Sequence, residues 1–268
     1  MPHPFDTGYA NPPFRALCES YPDGTVYPPD HFRVEWGPIF HRGRLDGSAR
    51  VLVIGQDPAQ HEAVARRILV GEAGQRVQGL LGKLGIETSY VMVNTFLYSV
   101  YSKSAGRYAD DPGIVGYRDR WLDALLPGKV EVVVALGALA DGAWQKWKAT
   151  PRGAAFTPGA YERITHPTQP ESSSKADAAK RDAAVTAMLA NWNAALATLA
   201  PALRHPDRAR PLVPYGAAFA PGDLAGIPEV DLPPGMPAWM RGVQPWARRT
   251  GTPKRANLTI TVPKASLP

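Results

Sequence analysis

The clearest indication of the fold of this chain is the segment VLVIGQDP, residues 51–58. Its first four residues are apolar and mostly β-branched, which is typical of a strand buried on both faces of a sheet. Gly55 then ends the apolar run, and Gln56 and Asp57 follow before a proline stiffens the chain. The pattern predicts a buried strand that presents an acidic side chain at the edge of its sheet.

Strand-like and helix-like segments alternate after this stretch. The runs YVMV, VEVVVAL and YERIT predict strands at residues 90–93, 130–136 and 161–165. Apolar residues at helical spacing predict the intervening helices, and a capping box of Ser174 and Asp177 predicts the start of a long last helix. Such alternation indicates a parallel sheet covered on both sides. The predicted fold is a three-layer α/β/α sandwich around a central, mostly parallel four-stranded sheet.

Two extensions flank the predicted core of residues 51–200. Residues 1–50 are rich in turns and aromatic residues, and they predict an irregular layer with one short helix near Ala16. Residues 201–268 hold 13 of the 28 prolines and nine basic residues against four acidic ones. This basic excess favours an anionic partner such as nucleic acid, although a solvated tail has the same composition. The tryptophans of PAWMRGVQPWARR either stack on the bases of single-stranded nucleic acid or pack over the domain, and packing is the favoured interpretation.

Other classes of protein are disfavoured by composition. Cys18 is the only cysteine, which excludes an internal disulfide and a multi-cysteine metal or iron–sulfur site. A reducing cytoplasm is therefore the expected location. No apolar run approaches the roughly 20 residues that span a bilayer, and the start of the sequence lacks the pattern of a secretory signal. A monomer without a membrane partner is expected.

Three polar side chains follow predicted strands at their carboxyl ends: Asp57, Asn94 and His166. Ligands of open α/β sheets bind at that edge. The structural alternatives are that Asp57 caps a helix, that Asn94 forms a turn and that His166 is simply exposed. An aspartate can orient a water or stabilise a cation, and an amide suits the hydrogen-bonding edge of a pyrimidine. A neutral imidazole can donate a hydrogen bond to a developing oxyanion.

Five segments together resemble one family. GQDPAQH, VNTFL and HPTQP are similar to signatures of the uracil-DNA glycosylase superfamily. The segments RRILVGEAGQRVQGLLGKLGI and VVVALGALAD resemble its iron–sulfur branch, whose cluster cysteines are missing here. The resemblance covers roughly residues 50–200. It implies a monofunctional glycosylase that flips uracil out of DNA and hydrolyses its N-glycosidic bond in base excision repair, with no metal and no cofactor.

The resemblance also implies residue roles. Asp57 would position the attacking water and stabilise the sugar cation, and His166 would stabilise the departing uracil anion through its O2. Asn94 would read the edge of the base, with Gln56 and two further residues, Ala59 and Leu69, in the same pocket. The implied partner is uracil-containing DNA, single- or double-stranded, together with its abasic product.

Two of these pocket residues depart from the family pattern. Ala59 stands where the uracil-specific branch has a tyrosine that blocks the methyl group of thymine. Leu69 stands where relatives have the phenylalanine on which uracil stacks. Phe96, Tyr98 or Tyr101 could supply that stacking face, although core packing and surface roles are the alternative for these rings.

The segment after His166 is predicted to bind DNA. Hydroxyl groups, backbone amides and a lysine at the start of a helix make a phosphate site, while helix capping by one serine is the alternative. Arg66 and Arg67 are further phosphate candidates. The predicted DNA-binding residues are Thr168, Gln169, Ser172, Ser173, Ser174 and Lys175.

Two other functions remain open from the sequence. A relaxed-specificity glycosylase for other deaminated bases is suggested by Ala59 and Leu69. A protein that binds uracil or abasic sites and turns over poorly would suit the basic tail. An unrelated nucleotide-binding protein lacks support, because neither G-x-G-x-x-G nor a P-loop string is present.

Overall fold

A computed structural model of the chain describes residues 12–101, 103–174, 177–242, 245–252 and 257–266. Its main sheet has five strands: β1 (His41–Gly43), β2 (Val51–Gly55), β3 (Tyr90–Asn94), β4 (Val132–Leu136) and β5 (Ala160–Ile164). They lie in the order β1-β3-β2-β4-β5. Strands β3, β2, β4 and β5 run parallel to their neighbours, and β1 pairs antiparallel with β3.

The four predicted strands are confirmed, and the strand count of four is wrong by one. The additional strand β1 lies inside the N-terminal segment that was expected to be irregular. Three residues are too few to show a period, and the pairing of His41 with Val93 is a long-range contact. A short helix near Ala16 is confirmed as Phe14–Glu19.

Helices cover both faces of the sheet, as the sandwich requires. Side chains alternate along a strand, so Leu52 and Ile54 belong to one apolar cluster and Val51 and Val53 to the other. The helices are α1 (Phe14–Glu19), α2 (Gln60–Ala65), α3 (Glu72–Lys83), α4 (Pro112–Leu125), α5 (Ala138–Lys148), α6 (Pro151–Ala155), α7 (Gln169–Ser174) and α8 (Ala178–Ala202). The first cluster includes residues of α4 and α5, and the second includes residues of α3 and α8.

The long last helix differs from its predicted start. Asp177 caps α8 by accepting a hydrogen bond from the backbone N–H of Lys180 at 3.0 Å, and Ser174 instead ends the separate helix α7. Within the described ranges, α8 is the one helix long and apolar enough to cross a membrane. Its stripe of Met188, Trp192 and Leu196 is buried against the sheet, as in a core helix of a folded domain.

The C-terminal extension folds back over the domain. Asp231 is fully buried and forms an ion pair with Arg42 of β1, at 3.2 Å between Oδ2 and Nη1. Trp246 is buried in a cluster with Ala65 and Val70, which confirms the packing interpretation for this tryptophan. After it, β6 (Ala247–Thr250) and β7 (Asn257–Ile260) pair antiparallel. These two strands are called the β6–β7 hairpin below.

Candidate active site

The sheet brings the three predicted polar residues to one edge. Asn94 is the last residue of β3 and pairs in register with Gly55, the last residue of β2. Asp57 follows β2 by two residues, and His166 follows β5 by two residues. Because these strands are parallel, all three side chains lie at their carboxyl ends.

Asp57 is held as a partly exposed carboxylate. Its Oδ2 accepts from the backbone N–H of Val100 at 2.9 Å, and its Oδ1 accepts from Nε2 of Gln56 at 3.0 Å. Burial raises the pKa of Asp57 to about 6, against the opposing effect of these hydrogen bonds and of the Arg249 charge. The carboxyl is therefore mainly ionised at neutral pH and can orient a water or stabilise a nearby cation.

The amide of Asn94 carries an unused acceptor. The residue is 8% exposed, and within the described chain its buried Oδ1 has no hydrogen-bond partner. A Cβ on Gly55 would lie 2.3 Å from that oxygen, so a glycine is needed on the neighbouring strand to leave it room. A buried acceptor without a partner is costly, and a ligand N–H would satisfy it.

His166 is arranged as a neutral hydrogen-bond donor. Its Nδ1 accepts from the backbone N–H of Thr168 at 3.2 Å, and the Thr168 hydroxyl lies 3.1 Å from the same nitrogen. Burial lowers the pKa of His166 below its ordinary value of 6.5, so the imidazole is neutral at pH 7. With Nδ1 as an acceptor, the ring proton lies on Nε2, where it can be donated to an anionic oxygen.

A cleft of about 630 Å³ opens between this histidine and α8, and its lining includes neither Asp57 nor Asn94. It is lined by Gly137, Thr165, Gln169 and Asn191 among others. Gly137 has a φ of +87°, and a Cβ placed there would come within 3.3 Å of the His166 Cβ. The glycine at the end of β4 thus allows the imidazole to lie close to the sheet edge.

Ala59 and Leu69 also lie near this edge. Ala59 precedes α2 and is partly exposed, and its methyl group makes no wall of the kind a tyrosine ring would provide. The Cδ1 of Leu69 comes within 3.8 Å of a Cβ placed on Gly55, which puts the leucine beside Asn94. Leu69 has a φ of +53°, which is a strained conformation for a leucine, and residues with strained backbones cluster at active sites and ligand-binding segments.

Sequence reasoning missed Glu62, which organises this loop. One of its carboxylate oxygens accepts from the N–H of Ala59 at 3.0 Å, and the other accepts from Val70 and Gly71 at 2.9 and 3.2 Å. The side chain therefore ties the start of α2 to the segment that carries Leu69. Its place three residues after Ala59 matches the acidic position of a capping box, which was the available signal.

The predicted DNA-binding segment is placed differently from the sequence prediction. Ser172 and Ser173 are exposed, Ser174 is buried, and all three end α7 rather than begin α8. The hydroxyls of Ser172 and Ser173 donate to carbonyl groups of the same helix. The expected phosphate site at the start of α8 is therefore wrong in its helix position, because Asp177 takes the cap.

The other members of that set lie next to His166 or outside the described residues. Thr168 contacts His166, and Gln169 is exposed at the start of α7 beside the cleft. Lys175 lies outside the described residues. DNA binding by the segment remains a prediction.

The remaining candidates are largely internal. Nη1 of Arg66 donates to the carbonyl of Trp36 at 2.7 Å, and Arg67 is buried, so neither side chain is presented to a phosphate. Phe96 is fully buried and packs edge-to-face on Phe32, and the buried Tyr98 donates to a backbone carbonyl. Core packing, the alternative reading for Phe96, is what the structure shows.

One comparison with known protein families agrees with this geometry. A family model described as the uracil DNA glycosylase superfamily matches residues 42–203, more than half of the chain. The match includes all three residues at the sheet edge and begins within β1. No curated protein matches the chain.

Proposed function

Since the chain belongs to the uracil-DNA glycosylase superfamily, we propose that it is a monofunctional DNA glycosylase that excises uracil. Membership supports a hydrolase of N-glycosyl bonds that acts on DNA. The choice of uracil as the base is the proposal, and the buried amide of Asn94 is the observation that carries it. Its Oδ1 needs a donor and its NH₂ offers one, which matches the N3–H and O4 of a uracil.

The reaction then follows from the three side chains. DNA presents the target base only after the nucleotide leaves the helical stack, which costs a few kcal/mol. The C1′–N1 bond breaks and its electron pair leaves with the uracil, while Nε2–H of His166 donates to the O2 of the anion. Asp57 stabilises the sugar cation and orients the water whose oxygen bonds to C1′. The water proton passes through the carboxylate to solvent.

Asp57 and His166 are thus the proposed catalytic residues, and Gln56, Asn94, Ala59 and Leu69 the substrate-binding ones. One well-placed donor to an oxyanion contributes about 3–4 kcal/mol to barrier lowering. His166→Ala is therefore expected to reduce the rate by about 100- to 1,000-fold. No step in this scheme requires a group other than water and the side chains of the chain itself.

Relaxed specificity is a second candidate, and Ala59 favours it. The partly exposed methyl leaves the side of the pocket open where relatives exclude a 5-methyl group. Thymine opposite guanine is the base that an open wall would admit. The third reading, a DNA-binding protein with poor turnover, is an outcome of the same experiment.

The test uses end-labelled oligonucleotides with one uracil, one thymine opposite guanine, one hypoxanthine or one xanthine, in single and double strands. After incubation, alkali cleaves any abasic site. Asp57→Asn is the variant expected to excise far more slowly, and Asp182→Asn, the same change on the exposed surface of α8, is its matched control. Cleavage at uracil supports the proposal, and additional cleavage at thymine supports relaxed specificity. Binding without cleavage at uracil would favour the third reading and reject the enzyme.

A further inference from the structure

The β6–β7 hairpin docks directly beside the active site. The backbone N–H of Ala247 donates to Nε2 of His61 at 3.2 Å, and the ring of Trp246 packs edge-on against the same imidazole at 4.9 Å. His61 lies on α2, which begins three residues after Asp57. The C-terminal extension, which lies outside the family match, thus reaches the first signature of the family.

The strand geometry points one arginine of the hairpin toward the site. Side chains alternate along β6, so Arg249 lies on the same face as the buried Ala247, and Arg248 lies on the opposite face. Both arginines are exposed, and in the part of the chain that the structure describes neither guanidinium has an ion-pair partner. Arg249 lies close enough to Asp57 for its charge to act on the carboxylate.

A second cation lies at the same place. Arg33 is buried, with its guanidinium over the rings of Trp36 and Tyr101 at 4.6 and 5.0 Å. Burial lowers the pKa of Arg33, and the nearby charge of Arg249 lowers it further. Arg33 is buried and lies 3.9 Å from the carboxylate of Glu35, so the exposed guanidinium of Arg249 is the one that an anion can reach from solvent.

We propose that the β6–β7 hairpin is a DNA-binding arm, and that Arg249 binds a backbone phosphate next to the flipped nucleotide. The inference rests on the proposed function, since it takes DNA as the substrate. Phosphate contacts fix the position of a nucleic acid without reading its sequence. Arg249 would in this way hold the DNA strand so that the extruded nucleotide faces Asp57. Arg248, on the opposite face, has no such contact.

The test measures binding by fluorescence anisotropy at several salt concentrations. The probe is a fluorescein-labelled oligonucleotide with one 2′-fluorinated deoxyuridine, whose glycosidic bond resists hydrolysis. Arg249→Gln is compared with Arg248→Gln, which removes the same charge from the other face, and with Arg249→Lys, which keeps the charge. Circular dichroism and thermal unfolding confirm that each variant is folded.

Arg249→Gln is expected to weaken binding about tenfold near 0.1 M salt and to reduce the salt slope by about one. Arg248→Gln is expected to leave the slope unchanged, and Arg249→Lys to restore it. An unchanged slope in Arg249→Gln, or equal losses in both glutamine variants, would overturn the inference. Wild-type protein that binds the probe but releases no uracil from the same oligonucleotide with an unmodified deoxyuridine would reject the proposed function. It would not reject the DNA-binding role of Arg249.

Discussion

Replacing Asp57 with asparagine is expected to stabilise the folded protein at neutral pH while it removes the catalytic carboxylate. Burial raises the pKa of this group to about 6, against an ordinary value of 3.8. Each factor of ten in the ionisation constant corresponds to about 1.4 kcal/mol, so the ionised carboxylate destabilises the fold by at most about 3 kcal/mol. An asparagine oxygen can still accept from the N–H of Val100. The expected gain is about 1 to 3 kcal/mol at pH 7.

The pH dependence of this gain follows from the same pKa difference. Below about pH 3.8, Asp57 is protonated in the folded and the unfolded chain, and the carboxyl carries no penalty. Between about pH 3.8 and 6 the unfolded chain loses the proton first, so wild-type stability falls as the pH rises. Above about pH 6 both states are ionised and the penalty is constant. Asp57→Asn has no ionisable group at this position and so lacks this pH-dependent penalty.

Urea unfolding of wild type, Asp57→Asn and the surface control Asp182→Asn from pH 4 to 8 measures the effect. The difference between Asp57→Asn and wild type is expected to be near zero at pH 4 and to reach its full value above pH 6.5. The control is expected to follow the wild type. A difference that does not vary with pH, or an asparagine variant less stable than wild type at pH 7, would show that ionised Asp57 does not destabilise the fold.

Three further outcomes are expected from the same structure. The value of kcat/KM for uracil excision should fall about tenfold per pH unit below pH 6, because only ionised Asp57 orients the water. Gly55→Ala should displace the Asn94 amide and reduce excision strongly with a stability loss of only about 1 kcal/mol, since the 2.3 Å contact is with a side-chain end that can rotate. Asp231→Asn should destabilise the protein by about 3 kcal/mol or more in urea unfolding, because the buried Arg42 loses its counter-charge.

Controls for these outcomes are available in the chain. Gly82→Ala on α3 adds a methyl with nothing within 4 Å and should leave excision unchanged. Asp182→Asn is the matched control for Asp231→Asn, because it makes the same change on the exposed surface of α8. Activity that is flat from pH 7 to 5, a Gly55→Ala enzyme with wild-type rates, or an Asp231→Asn protein as stable as its control would each contradict the corresponding expectation.

Local sequence patterns were sufficient to predict the strands whose ends carry the candidate site. The strand at Val51–Gly55 is an apolar run because both its faces are covered, and the polar residues after it mark its end. The same reasoning located Asn94 and His166, since parallel strands separated by helices share one edge. These features depend on residues that are close in sequence.

Features that depend on distant partners were not accessible in this way. The role of Gly55 follows from an oxygen on the neighbouring strand, 39 positions further along the chain, and the tautomer of His166 follows from the turn that returns Thr168 to it. The ion pair of Arg42 with Asp231 joins positions separated by 189 residues. Deleting residues 201–268 would therefore leave a buried arginine without its partner, so point variants are the sharper test of the extension.

The release of free uracil from DNA in a single turnover distinguishes excision of the base from binding alone. Enzyme in excess over an oligonucleotide with one uracil is quenched over time, and the free base is quantified by chromatography. Wild type is expected to release one equivalent of uracil, and Asp57→Asn and His166→Ala to do so at least about 100-fold more slowly. Bound DNA that keeps its uracil, or full rates in both variants, would contradict the account.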